Sequence, residues 1–85
     1  MPEISRFFGI AIALYHRDHA RPQFSALAGA FSVVVDIETG AVAGRFPPRA
    51  LGLVLEWRER YVRELMENWA LAAARRPLRA VPPLE

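Results

Sequence analysis

Phe31-Ser32-Val33-Val34-Val35-Asp36-Ile37, followed by Glu38-Thr39-Gly40, is the stretch that decides the fold. Phe31, Val33, Val35 and Ile37 alternate with Ser32, Val34 and Asp36, the period of a strand with one face on a core. Gly40 supplies the positive φ of a tight turn. Ala41 to Gly44 then reads as a brief strand returning along the first. Upstream, Phe24 to Ala28 is a short strand before a Gly29-Ala30 turn, and Phe7 to Tyr15 is a longer one. In Phe7–Tyr15 the large set, Phe8, Ile10, Ile12 and Leu14, is expected to face the core. The set Phe7, Gly9, Ala11, Ala13 and Tyr15 suits a face approached by another backbone or left open to water. His16 to Gln23 is a loop, since Pro22 cannot donate to a ladder.

Phe46-Pro47-Pro48 ends the sheet, and a proline at the first helical position is pre-set for helix entry. Beyond it Leu51, Val54, Leu55, Tyr61, Val62, Leu65, Trp69, Ala72 and Ala73 recur at three- and four-residue spacing, the stripe of an amphipathic helix. Arg58 interrupts the stripe. Leu53 and Trp57 lie off it and are candidates for a subunit contact; for Trp57 a helix edge lying on the sheet is an equal alternative. A helix over 48–75 is about 40 Å long, longer than so small a sheet, so a break between Arg58 and Tyr61 or an overhang is expected. Residues 76–85 form an extended basic, proline-containing tail. The expected fold is α+β: one domain over 1–85, a three- to four-stranded antiparallel meander over 4–44, and one long or kinked C-terminal helix over 48–75.

With 85 residues, the chain buries only about 60% of its unfolded surface. It has no Cys, hence no disulfide and no thiolate metal site. The apolar share of 53% is high for such a body and predicts self-association. No secretory leader pattern is visible, and the longest apolar run falls far short of the ~20 residues that cross a bilayer. A cytoplasmic protein with no membrane partner is the expectation. All eleven basic residues are Arg, eight of them after residue 40, while the net charge is only +2. That balance does not by itself point to nucleic acid.

The chain resembles the bacterial family known as domain of unknown function 4160. The resemblance runs through Ile4-Ser5-Arg6-Phe7-Phe8-Gly9-Ile10, Asp18-His19, Phe24, Asp36 to Gly40, Arg49-Ala50-Leu51, Glu56-Trp57 and Glu67-Asn68-Trp69. It implies a small α+β unit, and a toxin–antitoxin-like setting beside a small partner gene. The family's loop usually reads Asp-His-x-Pro-Pro-His-Phe-His-Ala. Here it is Asp18-His19-Ala20-Arg21-Pro22-Gln23-Phe24-Ser25-Ala26, so only the first of three histidines remains. Chemistry that depends on that cluster is expected to be lost.

No Gly-rich phosphate loop, Cys nucleophile or Gly-x-Ser-x-Gly elbow is present. The best catalytic cast is His19 as general base, Arg21 as oxyanion or phosphate stabiliser and Ser25 beside them, a ribonuclease-like set. A loop histidine capping a turn is the plainer reading. His16, Asp18 and His19 are too crowded for a zinc site, so neither metal nor cofactor is expected. Glu64 and Glu67 read as a solvated helix face. Arg45 and Arg49 at the helix start, and Arg75, Arg76 and Arg79 in the tail, are the candidates for nucleic-acid contact. The reading that demands least special chemistry is a non-catalytic, self-associating interaction module, a homo-oligomer or one half of a toxin–antitoxin-like or regulatory pair. A His19-dependent RNase-type toxin comes next, and a weak nucleic-acid-binding regulator after it.

Overall fold

The sheet is an antiparallel meander, as the alternation in Phe31–Ile37 requires, but it has five strands. The computed structural model describes residues 2–85. Strands β1 (Glu3–Phe7), β2 (Ile10–Ala13), β3 (Gln23–Ala28), β4 (Phe31–Asp36) and β5 (Val42–Arg45) lie side by side in chain order. Two helices follow, α1 (Pro48–Arg60) and α2 (Val62–Ala73).

The extra strand comes from a turn inside the stretch read as one strand. Phe7 pairs with Ile10, which leaves a two-residue turn with Phe8 at φ 49 and Gly9 at φ 76. Positive φ at both positions is the type I′ hairpin turn, and Gly9 adopts it without steric cost. The turn reverses the expected sides. Phe7 is in the core at 5% exposure, and Phe8 stands out at 66%. Of the set expected to face the core, Ile10, Ile12 and Leu14 do so.

The helix breaks at Tyr61, which leaves helical geometry at φ −121 and ψ 28 and shares its N–H between the carbonyls of Trp57 and Arg58, each 3.1 Å away. The helical layer therefore folds over one face of the sheet instead of overhanging it. Within α1, Glu56 and Arg60 approach at 3.9 Å.

Trp57 corrects the expectation of a subunit contact. It is fully buried, with ring centroids 5.5 Å from Phe7, 5.6 Å from Phe24 and 5.9 Å from Tyr61. Leu53 is half-buried and packs against the same core. The burying face of the helices runs through Val54, Trp57, Leu65 and Asn68, and Leu51 and Leu55 lie at its margin. Arg58, the interruption of the stripe, donates from Nε to the Ile37 carbonyl and from Nη2 to the Glu38 carbonyl, both at 2.9 Å. It thereby anchors the β4–β5 turn to α1.

Past α2, the extended tail is docked as a strap. Asn68, 1% exposed, donates from Nδ2 to the Arg79 carbonyl at 2.9 Å and accepts the Arg79 N–H at 2.8 Å. Trp57 Nε1 donates to the Pro82 carbonyl at 2.9 Å, and the Val81 N–H reaches the Ile4 carbonyl on the outer edge of β1 at 2.8 Å. Val81 and Leu84 are each 4% exposed and belong to the core. The strap thus takes up apolar surface that a short sheet alone leaves bare. Among the described residues the large hydrophobic side chains still exposed are Phe8, Tyr15, Phe31 and Val42.

Candidate functional site

Residues paired across an antiparallel ladder point to the same face. Register therefore defines the sheet face opposite the helices. Ala11 pairs with Leu27, Ser25 with Val34, Val34 with Ala43, and Ser32 with Arg45. This open face carries a shallow groove of about 290 Å³ lined by Tyr15, Ser25, Leu27, Ser32, Val34 and Ala43. A smaller hollow beside it is bounded by Tyr15, Arg17, Gln23, Ser25 and Val34. Gly44, at φ 116, lets β5 approach β4 closely enough to close the groove's far wall: a β-carbon there would stand 2.8 Å from the Ser32 carbonyl oxygen. An antiparallel sheet that faces only water normally shows polar residues outward. Here Leu27, Val34 and Ala43 put apolar surface outward between Ser25 and Ser32, and the charged groups sit at the margins.

Those margins are charged in an uneven way. Glu3 and Arg6 are paired at 2.7 Å. Arg21 Nε donates to Asp36 Oδ2 at 2.6 Å. Asp36 also accepts the N–H groups of Glu38 and Thr39 at 2.8 and 2.9 Å, which closes the β4–β5 turn. The Arg21 hydrogen bond, with these backbone donors, holds the Asp36 carboxyl below its ordinary value of 3.8. Both carboxylates on this face are thus committed. Arg17 and Arg45 are exposed and, among the described residues, have no carboxylate within 4 Å.

A depressed carboxyl contributes stability above the unfolded-state pKa, and that contribution is lost as pH falls through the lower, folded-state value. Asp36→Asn is therefore expected to lower the urea midpoint at pH 7. Wild type and variant should converge as pH falls through the depressed folded-state value, which lies below 3.8. Equal midpoints at pH 7 would show that the Arg21–Asp36 clasp contributes nothing.

The residues of the ribonuclease-like set are placed apart in role. Arg21 is held by Asp36 and pins the β2–β3 loop to the end of β4. Ser25 lies on the open face, with Gln23 beside it in the smaller hollow. His19 sits in an exposed turn at φ 67 and does not line that hollow. The positions at which this chain departs from the three-histidine pattern, Gln23 and Ser25, thus flank the open face next to Tyr15. Among the described residues no three His, Asp or Glu side chains converge to hold a metal ion.

The arginines named for nucleic acid are also dispersed. Arg45 is on the open face of β5 and Arg49 is exposed in the first turn of α1. Arg75 and Arg76 lie just past α2, and the backbone of Arg79 is clasped by Asn68. Reading the sequence alone misses Leu27, Val34, Ala43 and Arg17 as a set. The small alternating residues Ala11 and Ala13 marked the face, but only the ladder register brings the rest to it.

The fold and site together define a class: a single antiparallel meander covered by helices on one side and uncovered, with an apolar centre, on the other. Residues 9–70 match the sequence model of the family described as Domain of unknown function (DUF4160), and the chain belongs to that family. The match spans β2 to β5, α1 and most of α2. Comparison with curated proteins and with solved structures gives no match. Among the described residues no helix is long and apolar enough to cross a membrane.

Proposed function

We propose that this protein works by docking a protein partner on the open face of its sheet, without catalysis. The observation that carries this reading is the apolar groove of Tyr15, Leu27, Val34 and Ala43 on a face left bare by both helices. Charge selects the occupant. The two carboxylates of the face are already paired, while Arg17 and Arg45 bracket its centre unpaired. A second copy laid face to face brings like charges together. A partner segment with a small apolar ridge flanked by Asp or Glu neutralises them and buries the groove. The edge strand β5 lies alongside, with all four residues exposed, and offers unpaired backbone groups to the same partner. A toxin–antitoxin-like or regulatory pair, as the family resemblance implies, gives such a partner its place.

The test is co-production with the product of whichever small gene neighbours this one. The two are expected to co-elute as one complex. Ala43→Arg, at an exposed position, and Val34→Arg are each expected to weaken it by more than about thirtyfold, as at the centre of an interface. Arg17→Glu should weaken it mainly at low salt. Unchanged binding by both groove variants would remove the face from the account. Light scattering supplies the other arm: a dimer that Ala43→Arg dissolves would make a second copy the occupant.

A further inference from the structure

On the edge of the molecule, between the β2–β3 loop and the end of α2, lies a separate open hollow of about 340 Å³ lined by His16, Asp18, Ala72, Ala73 and Arg75. Its size falls within the range of small-ligand clefts. Arg75 is the first unusual feature. The Arg76 N–H reaches back to the Leu71 carbonyl at 2.9 Å, which makes Arg75 the residue just past the helix, in the left-handed conformation at φ 57. Glycine is the residue that stability favours there. A long cation instead occupies the position at a conformational cost, and among the described residues it has no carboxylate within 4 Å. Strain kept at an exposed, unpaired charge points to a role for that charge.

His16 is the second. Its ring packs on the Trp69 indole with centroids 4.8 Å apart and an interplanar angle of 50°, and its side chain is only 27% exposed. The imidazole is therefore held in place at the hollow's wall. Asp18 Oδ1 stands 3.8 Å from His16 Nδ1, and the Asp18 side chain is 92% exposed. Its carboxylate faces the histidine rather than Arg75 and is solvated, so it opposes an anion in the hollow only weakly. Ala72 and Ala73 complete the lining with no side-chain bulk or charge, and the partial negative charge of the α2 C-terminus there is opposed by Arg75 and Arg76.

We propose that this hollow binds a phosphate group, gripped by the Arg75 guanidinium through two parallel N–H bonds and met by a ring N–H of His16. A planar guanidinium matches phosphate geometry bidentately. The exposed Arg76 adjoins Arg75 and adds to the local positive field. The source of the phosphate is either a small phosphorylated molecule or the backbone of a single-stranded RNA, and the chemistry of the grip is common to both.

Side-chain and amide NMR shifts of the full chain, titrated with inorganic phosphate, with 5′-AMP and with a short oligoribonucleotide, test this. Saturable shifts at His16, Ala72, Ala73 and Arg75 are expected with inorganic phosphate. Tighter binding of 5′-AMP alone marks a small-molecule site. Tighter binding of the oligoribonucleotide, falling steeply with salt, marks a nucleic-acid site. Arg75→Gly is the decisive variant, because glycine relieves the backbone at φ 57. It is expected to raise the melting temperature and to weaken phosphate binding by about tenfold or more. Absence of saturable shifts in the wild-type chain, or an Arg75→Gly protein that binds as well as wild type, overturns the proposal. Neither result bears on the open sheet face.

Discussion

Trp57→Ala is expected to leave the chain largely unfolded. The indole is fully buried between Phe7, Phe24 and Tyr61, where α1 meets the sheet. Removing so large a buried ring costs about 3–5 kcal/mol. The Pro82 carbonyl loses its donor as well; Pro82 is exposed, so water can take over the acceptor and the added loss is that of an ordinary hydrogen bond, about 0.5–1.5 kcal/mol. A domain of this length has a total stability of only about 4–13 kcal/mol, so the loss approaches the whole. Trp57→Phe separates the two contributions. It keeps a ring in the cavity and removes the N–H, and should retain the fold with a lower urea midpoint. Circular dichroism in urea measures both variants. An alanine variant that unfolds cooperatively within about 1 kcal/mol of wild type would remove Trp57 from the centre of the core.

The second large effect is expected at Asn68→Ala. This amide makes two hydrogen bonds to the backbone of one residue, Arg79, from a site 1% exposed. Deleting it leaves an N–H and a carbonyl of the strap without partners, at a cost of about 2–4 kcal/mol. Because Arg79 leads into Val81 and Leu84, the strap should detach as a unit. Hydrogen exchange reads this directly: the Val81 amide, bonded to the Ile4 carbonyl, should lose its protection while the β3–β4 ladder keeps its own. Retained protection at Val81 would show that apolar contacts alone hold the strap. Asn68→Asp sharpens the comparison, since a carboxylate can accept the Arg79 N–H but repels its carbonyl.

The particular residues show how far the sequence could be read. Phe31 to Asp36 forms a strand because its period is unambiguous, and Pro48 opens α1 as its fixed φ predicts. The Phe8-Gly9 turn escapes detection because its neighbours continue the large–small alternation across it. A glycine inside a strand pattern and a glycine in a two-residue turn look alike until pairing partners are known. Trp57 lies off the counted stripe, which leaves it between a subunit contact and packing on the sheet, yet α1 buries Val54 and Trp57, and the stripe's Leu51 and Leu55 fall at its edge. The amphipathic period gives a helix's buried side only to within about one residue's width.

The site was less legible than the fold. Arg21 reads as a free cation in sequence, and only the ladder register that places Gln23 opposite Asp36 delivers it to that carboxylate. His19 stood out through its resemblance to a motif, whereas His16 acquires its fixed position from Trp69, more than fifty positions away. Side-chain-to-backbone bonds such as those of Asn68 and Arg58 have no period, so nothing in composition announces them. The strap is the largest such case, because arginine and proline in a short tail ordinarily mean hydration.

The attachment of the strap to β1 has a kinetic corollary. Each strand of the meander pairs with the next in the chain, so the sheet closes through short loops and should assemble early and quickly. The contact between Ile4 and Val81 joins segments nearly a chain length apart and has no such advantage. Sealing of the β1 edge is therefore expected to follow the rate-limiting step. Substitutions that weaken it, Asn68→Ala among them, should accelerate unfolding and leave the refolding limb of a chevron almost unmoved.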